Sequence, residues 1–349
     1  MVYRYQVVVR CEVAAATGEV HVRKLFVMAL LPLFIGAAPT GYHVVGEIKI
    51  GGEGGWDYLT VDSAARRLYV SHATHVVVVD LDANKVVGDI PETPGVHGIA
   101  IAPELNRGFI SNGRGNNVTI FDLKTLKAIG TVATGENPDS IRYDAKSGRV
   151  FAFNGRSRSA TAIDAKTGTV AATIPLPGKP EFSVADGTGR VYVNIEDTAE
   201  IVEIDAAKAT VTKKYALTGC EGPSGLAFDA KNRRLFSVCG NRVMAVSDPD
   251  AGKVVATPAI GAGSDGAAFD QGTGFAFSSN GDGTLTIVQQ SGGTWDVLEN
   301  IATERGGRTI ALDEKTHKVY VPTATAGQAA AGGRAPYLPD SFKVLVVGK

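Results

Sequence analysis

The chain repeats one unit of about forty residues seven times, and this repetition constrains its fold more than any single residue does. Each unit carries an aromatic residue inside a short apolar run, and successive aromatics lie from 39 residues apart (Phe236 to Phe275) to 45 residues apart (Phe275 to Tyr320). The set is Tyr69, Phe109, Phe151, Tyr192, Phe236, Phe275 and Tyr320. A period in this range is typical of propellers and solenoids.

Strand composition selects the propeller. Residues 141–182 contain four short runs rich in β-branched and aromatic residues, separated by turns at 145–148 and 165–168. None of these runs has the length and period of a helix. The sequence therefore predicts an all-β fold, a seven-bladed β-propeller with four antiparallel strands in each blade.

The ring is expected to close through the N-terminal strand. The seventh unit supplies three strands, predicted at 309–312, 318–321 and 343–347, before the chain reaches Lys349. Residues 43–50 have strand composition and belong to no unit. As the outer strand of the last blade they would cover an open sheet edge. We therefore expect one propeller domain over 39–349.

Residues 22–38 have the pattern of a bacterial secretory signal. Arg23 and Lys24 precede an apolar core at 25–35, and small residues precede a cleavage point after Ala38. The core is too short to anchor the chain in a bilayer, so we expect a periplasmic or secreted protein. Residues 1–21 are atypical of a signal; we interpret them as a gene-start artefact, with a genuine extension as the alternative.

Charge argues against a nucleic-acid footprint. Without residues 1–38 the chain keeps 31 of its 35 basic residues and 34 of its 36 acidic residues, a net charge of −3. It has no basic tail or block.

The repeat core resembles the YVTN β-propeller repeat. Residues 67–71 read Arg-Leu-Tyr-Val-Ser, and the pattern returns as Arg-Val-Tyr-Val-Asn at 190–194 and Lys-Val-Tyr-Val-Pro at 318–322, with a similar trailing turn at 164–170. The resemblance covers 39–349 and is strongest to the exported YncE-like proteins of bacteria. It implies a periplasmic or exported ring, usually without established catalysis.

The resemblance leaves several functions open. One branch of the family is associated with DNA binding, related rings hold haem or quinone cofactors, and a seven-bladed lactonase branch exists. Because one fold hosts many functions, the resemblance does not select among them.

The variable loops predict a polar funnel on one face. Variable loops on a rigid scaffold usually carry binding sites. The linkers between blades end at the axial mouth with Trp56, Asp57, His97, Asp139, Glu181, Ser224, Asp265 and Arg308. We predict that this ring binds a small polar ligand, a cation or a protein partner. The alternative is that these residues cap strand ends and hold water.

Three histidines suggest a metal or haem as an alternative. His72, His75 and His97 are expected on one side of the same face, with Asp57 nearby, and imidazole with carboxylate suits zinc, copper or an axial haem position. Chance grouping is the simpler account. We therefore assign no cofactor.

The enzymatic alternative is a lactone hydrolase using Asp57, His97, Glu181 and Arg308. The sequence contains no recognisable nucleophilic triad, and the glycine-rich run 261–266 precedes a strand where dinucleotide binding needs a helix. We favour a monomeric, non-enzymatic binding scaffold.

Two further features can be tested by structure. Cys220 and Cys239 are the cysteines that remain after residue 38, and an even pair in an exported protein is expected to oxidise. Antiparallel pairing in the fifth blade should place Gly225 opposite Cys239 or Gly240, and so bring Cys220 within reach. Two free thiols are the alternative. The insertion 324–341 in the seventh blade is predicted to arch over the binding face as its most mobile loop.

Overall fold

The computed structural model describes residues 39–327 and 336–349. The predicted signal segment and the residues before it lie outside the described residues, as does the middle of the seventh-blade insertion. Pro39–Lys349 forms one compact unit. No helix among the described residues is long and apolar enough to cross a membrane.

The described residues form seven four-stranded antiparallel sheets. In the first three blades the strands are β2 Trp56–Asp62, β3 Arg67–His72, β4 His75–Asp80, β5 Lys85–Ile90, β6 Val96–Ala102, β7 Arg107–Asn112, β8 Asn117–Asp122, β9 Ala128–Ala133, β10 Pro138–Asp144, β11 Arg149–Asn154, β12 Ser159–Asp164 and β13 Thr169–Pro175. In the next three they are β14 Pro180–Ala185, β15 Arg190–Ile195, β16 Glu200–Asp205, β17 Thr210–Ala216, β18 Pro223–Asp229, β19 Arg234–Cys239, β20 Met244–Asp248, β21 Lys253–Ala256, β22 Ser264–Asp270, β23 Phe275–Asn280, β24 Thr284–Ser291 and β25 Thr294–Ala302. The seventh blade contains β26 Ala311–Asp313, β27 Lys318–Thr323, β28 Lys343–Gly348 and the N-terminal strand β1 His43–Lys49. The predicted all-β propeller is confirmed.

Closure of the ring through β1 is also confirmed. The seventh sheet has the order β1-β28-β27-β26, and β1 pairs antiparallel with β28 from His43 opposite Gly348 to Lys49 opposite Lys343. Ile48 is buried, whereas Val45 at the bulge of this pair is exposed. The inner strand β26 begins later than the predicted residue 309. The Arg308 carbonyl instead accepts a hydrogen bond from Asp265 N–H of the sixth blade (3.2 Å).

The repeated aromatics lie between neighbouring blades. All seven are buried, and Tyr69, for example, packs with Ile110 and Phe121 of the second blade. Each sheet therefore covers an apolar face of the next, which is why a single blade could not fold alone. The repeated acids have the turn role expected of them: Asp62 accepts the Ala65 N–H at 2.8 Å. In the second blade a short 3₁₀ helix, Pro103–Leu105, replaces this turn.

Candidate functional site: an acidic funnel above a closed channel

The second residue of each of the first six inner strands faces one mouth of the ring. These residues are Asp57, His97, Asp139, Glu181, Ser224 and Asp265, and Arg308 is the corresponding residue before β26. We call these seven residues the ring residues, and the ring residues together with Lys179 and Glu196 the funnel.

Side chains of the preceding blade hold the backbone of several ring residues. Ser111 Oγ donates to the Asp139 carbonyl at 2.5 Å, and Ser279 Oγ donates to the Arg308 carbonyl at 2.6 Å. Thr309 Oγ1 donates to the Asp57 carbonyl at 2.7 Å, across the closure from the seventh blade to the first. These buried hydrogen bonds between blades fix the positions from which the funnel side chains project.

Asp57, His97 and Asp139 come from three successive blades and form one cluster. His97 Nδ1 lies 2.5 Å from Asp57 Oδ2 and 3.7 Å from Asp139 Oδ1. Burial opposes protonation of His97, but the hydrogen bond to Asp57 and the charges of Asp139, Asp57 and Glu181 outweigh it and raise the pKa of His97 to about 9. His97 is therefore an imidazolium at neutral pH. Asp139 is largely buried, and its Oδ1 has no hydrogen-bond partner among the described residues.

Two further ion pairs complete the funnel. Arg308 Nε lies 3.0 Å from Asp265 Oδ2. Lys179 Nζ lies 2.6 Å from Glu181 Oε1 and 2.5 Å from Glu196 Oε2. The sequence analysis did not identify Lys179. The sequence did contain a signal for Lys179, because this lysine lies two positions before the ring carboxylate Glu181 on the same linker.

The funnel contains more negative than positive groups. Asp57, Asp139, Glu181, Asp265 and Glu196 face three cations, His97, Arg308 and Lys179. Burial raises the pKa values of Asp139, Glu181 and Asp265, and neighbouring carboxylates raise them further against the opposing effect of the cations. Fully ionised, the group carries two uncompensated negative charges.

An aromatic pair lies beneath the ring residues. The rings of Tyr58, from the first blade, and Phe182, from the fourth, meet with centroids 4.8 Å apart. Burial raises the pKa of the Tyr58 hydroxyl well above its usual range, and the charges of Asp139, Asp57, Asp265 and Glu181 add to this effect. The pair forms the floor of the funnel. Sequence reasoning missed it, because the contact joins blades that are distant in the chain.

Trp56 is not part of the ring, although the sequence predicted it there. Its indole lies between Tyr337, at a centroid distance of 4.6 Å, and Phe342, at 5.0 Å. Trp56 packs against an apolar cluster that contains Leu59 of the first blade and Val344 of the seventh. It therefore packs between the first and seventh blades.

The structure does not assemble His72, His75 and His97 as a metal-binding set. His72 stacks on Phe342 at 4.5 Å, and its Nδ1 lies 3.2 Å from His75 Nε2. Burial lowers the pKa of His72 to about 4. His72 ends a second strand and faces the seam with the seventh blade, whereas His97 begins an inner strand.

A different set of residues could hold a metal ion. Among residues 39–327 and 336–349, the one set of three histidine, cysteine or carboxylate ligand atoms within 4.8 Å of one another is that of Asp57, His97 and Asp139. The donor set suits a divalent transition metal, since it combines imidazole with carboxylate.

Cys220 and Cys239 are joined in a disulfide, with Cα atoms 5.5 Å apart. Cys239 lies opposite Pro223, two residues before the expected Gly225, because the pairing of β18 with β19 contains a register shift between Pro223 and Leu226. The bridge connects the linker that enters the fifth blade to the end of its second strand.

The stems of the seventh-blade insertion lie at the funnel rim. Gly327 N–H donates to the Pro336 carbonyl at 2.7 Å, and Leu338 N–H donates to the Thr325 carbonyl at 2.8 Å. Tyr337 contacts Trp56 and contributes to the raised pKa of Arg308, whose burial acts in the opposite direction. The predicted mobility of residues 324–341 stays a prediction.

Comparison with known proteins supports the fold and does not extend to function. No protein-family model and no curated protein matches the chain. Among solved structures, it is similar to Kuenenia stuttgartiensis Hydrazine Synthase, with a TM-score of 0.66 and 14% identity, over 76% of this chain and 92% of that one. At this identity the likeness shows the fold alone, and 1800 solved chains match this chain.

Proposed function

We propose that this protein is an exported, non-enzymatic YncE-like scaffold that captures a small, positively charged ligand in its acidic funnel. The observation that carries the proposal is the crowding of five carboxyl groups against three cations at the funnel, where hydrogen bonds between blades hold the backbone of several ring residues. Export is supported by the signal pattern of residues 22–38, and YncE-likeness by the repeat cores at 67–71, 190–194 and 318–322.

The electrostatics favour a cation over an anion or a neutral ligand. Crowded carboxylates in a concave, partly desolvated site focus a negative potential. Burial, and after it the charges of neighbouring carboxylates, raises the pKa values of Asp139, Glu181 and Asp265, and a bound ammonium or guanidinium group would stabilise their ionised forms. Asp139 Oδ1 is buried 3.7 Å from His97 Nδ1 and has no hydrogen bond to a described residue, so a cation that reached it would add a hydrogen bond there.

A divalent metal ion is the second candidate ligand, on the geometry of Asp57, His97 and Asp139. Metal binding would have to displace the proton from His97, whose pKa is about 9. Metal affinity should therefore rise between pH 6 and 9, whereas an organic cation would lose affinity if its own amine deprotonated.

Lactone hydrolysis is less well supported by the same residues. His97 contacts two carboxylates and no hydroxyl or thiol among the described residues, so it activates no side-chain nucleophile. As an imidazolium at neutral pH it is also a poor general base. Arg308 is paired with Asp265, and Glu181 is paired with Lys179. Their observed partners are therefore protein side chains and not an open space for a substrate.

Calorimetric titration of residues 39–349 tests the proposal. The panel contains a diamine, a polyamine, arginine amide, Ca²⁺ and Zn²⁺, with acetate and glucose as non-cationic controls. We expect at least one cation to bind, and Asp139→Asn to weaken it about tenfold or more, because the amide keeps an acceptor but removes the negative charge that strengthens the hydrogen bond to a cation. Asp296→Asn, on the exposed outer strand of the sixth blade, is the matched control and should leave binding unchanged.

Absence of cation binding across the panel, or equal binding by the two variants, would refute the funnel as a cation site. A visible absorption spectrum of protein from its natural host tests the haem alternative, since a Soret band would show a bound haem. Hydrolysis of a lactone panel that is lost in His97→Asn would favour the enzymatic alternative.

A further inference from the structure

A second cavity lies below the Tyr58–Phe182 pair, on the opposite side from the funnel. Its volume is about 560 Å³, and residues of all seven inner strands line it. Asp186, Gly187, Ala230, Gln271 and Glu314, from the turns that follow inner strands, form its rim. The cavity therefore opens toward the face of the tight turns. We call it the lower cavity.

Small residues at one repeated position create the lower cavity. The residue three places after each ring residue is, from the first blade to the seventh, Thr60, Ala100, Arg142, Val184, Ala227, Ala268 and Ala311. All except Ala100 line the cavity. Six of these seven side chains are short. The exception is Arg142 of the third blade, whose side chain is long and charged.

Arg142 is a cation without a counter-ion. Its Nε and Nη2 donate to the Ser183 carbonyl at 3.0 and 2.8 Å, and its guanidinium lies 5.3 Å from the centroid of the Phe182 ring. It forms no ion pair with any described residue, and burial alone lowers its pKa to about 10. Placing an unpaired charge among apolar groups costs stability.

The contact with the Ser183 carbonyl does not require a charge. In the first blade Thr60 occupies the equivalent position, and its hydroxyl donates to the equivalent carbonyl, that of Ile99, at 2.6 Å. A neutral hydroxyl therefore satisfies this carbonyl. The guanidinium adds donors that point to no protein acceptor: Nη1 of Arg142 has no hydrogen bond to a described residue.

We infer that the lower cavity is a second ligand site, which takes a small organic carboxylate with an apolar body. A guanidinium offers a carboxylate two parallel hydrogen bonds. The walls around it are mainly apolar, with Val61, Leu226, Phe228, Phe269 and Leu312 among them. The volume falls in the range of small-molecule sites.

A monocarboxylate fits better than a phosphate ester. Among the described residues that line the lower cavity, Arg142 is the one cation; Glu314 stands at the rim, and Asp186 at the rim is paired with Arg233 at 3.4 Å. A dianion would exceed the single positive charge of Arg142, whereas a monoanion matches it. The two sites therefore select opposite charges, on opposite sides of the Tyr58–Phe182 pair.

Ligand-observed NMR and calorimetry with shape-matched pairs test this site. The probes are phenylacetate, indole-3-acetate and octanoate, each compared with its neutral amide. We expect a carboxylate to bind the wild-type protein more tightly than its amide. Arg142→Thr copies the first blade and keeps a donor for the Ser183 carbonyl, and it should weaken carboxylate binding about tenfold to a hundredfold. Amide binding should be unchanged.

A second variant separates shape from charge. Ala268→Val places the residue of the fourth blade in the sixth and narrows the lower cavity, so it should weaken carboxylate and amide alike. Both variants should bind funnel cations as the wild type does, which keeps this test independent of the proposed function. No carboxylate preference in the wild type, or full carboxylate affinity in Arg142→Thr with an unchanged melting temperature, would overturn the inference.

Discussion

Removal of the Cys220–Cys239 disulfide should destabilise the propeller by a calculable amount. The bridge closes a loop with a sequence separation of 19. In the chain-entropy account, cross-linking a loop of this length removes disorder from the unfolded chain worth about 3 kcal/mol at 25 °C. Both cysteines are buried, so the perturbation should be the double variant to alanine, because serine would add an unsatisfied polar group.

The change in free energy converts into a modest shift of the melting temperature. Globular proteins have an unfolding entropy of about 2.1 cal/mol/K per residue, or about 0.65 kcal/mol/K for a unit of roughly 310 residues. A loss of about 3 kcal/mol should therefore lower the Tm by about 5 °C if the ring melts as one unit. The small shift reflects the size of the ring rather than weakness of the bond.

Scanning calorimetry with and without reductant measures this shift. Wild-type protein treated with a phosphine reductant should melt about as early as the Cys220→Ala/Cys239→Ala variant, and the variant should not respond to reductant. Titration of the denatured, unreduced protein should find no reactive thiol in residues 39–349. Two thiols per chain, or a variant that melts with the oxidised wild type, would refute the reasoning.

Three other predictions concern closure, charge and the insertion. In urea melts, Ile48→Ala should lower the free energy of unfolding by about 2–4 kcal/mol, because Ile48 is buried. Val45→Ala on the same strand should change it by about 0.5 kcal/mol or less, because Val45 is exposed. Equal effects would contradict the role of β1 in closure. The pKa of His97 is about 9 in the folded protein and about 6.5 in the unfolded chain. Protonated His97 should therefore stabilise the fold fully below pH 6.5. This stabilisation, up to about 3 kcal/mol in the free energy of unfolding, should be lost as the pH rises through 9. Denaturant melts across this range should show the loss in the wild type and a flatter profile in His97→Asn; identical profiles would show that His97 does not titrate this way. Limited proteolysis should cut first within 324–341, and earlier cleavage elsewhere would argue against its mobility.

The repeats made the architecture predictable from sequence. The seven aromatics set the number of blades, and the orphan segment at 43–50 matched the missing strand of the seventh unit. These inferences succeed because strand and turn chemistry are local, and because one register applies to every blade. The same register predicted Asp57, His97, Asp139, Glu181 and Asp265 at one mouth of the ring from the sequence alone.

The tertiary structure decided which of these groups interact. Trp56 and Asp57 are neighbours in the chain, yet the indole packs at the seam with Phe342 and the carboxylate contacts His97. His72 and His97 were grouped because both were expected on one face, but position within the blade separates their rings. Local patterns carry no information on such distances across a ring.

By itself, the sequence determined a closed ring of seven sheets with acidic residues at one mouth, because repetition imposes the same local geometry seven times. Only the tertiary structure showed that Tyr58 and Phe182 meet across the channel and that Arg142 below them has no described counter-ion. The first fact depends on a contact between the first and fourth blades, and the second on the residues of all the blades that line the lower cavity. The electrostatic state of a buried group depends on all its neighbours in space, and the repeat does not specify those neighbours.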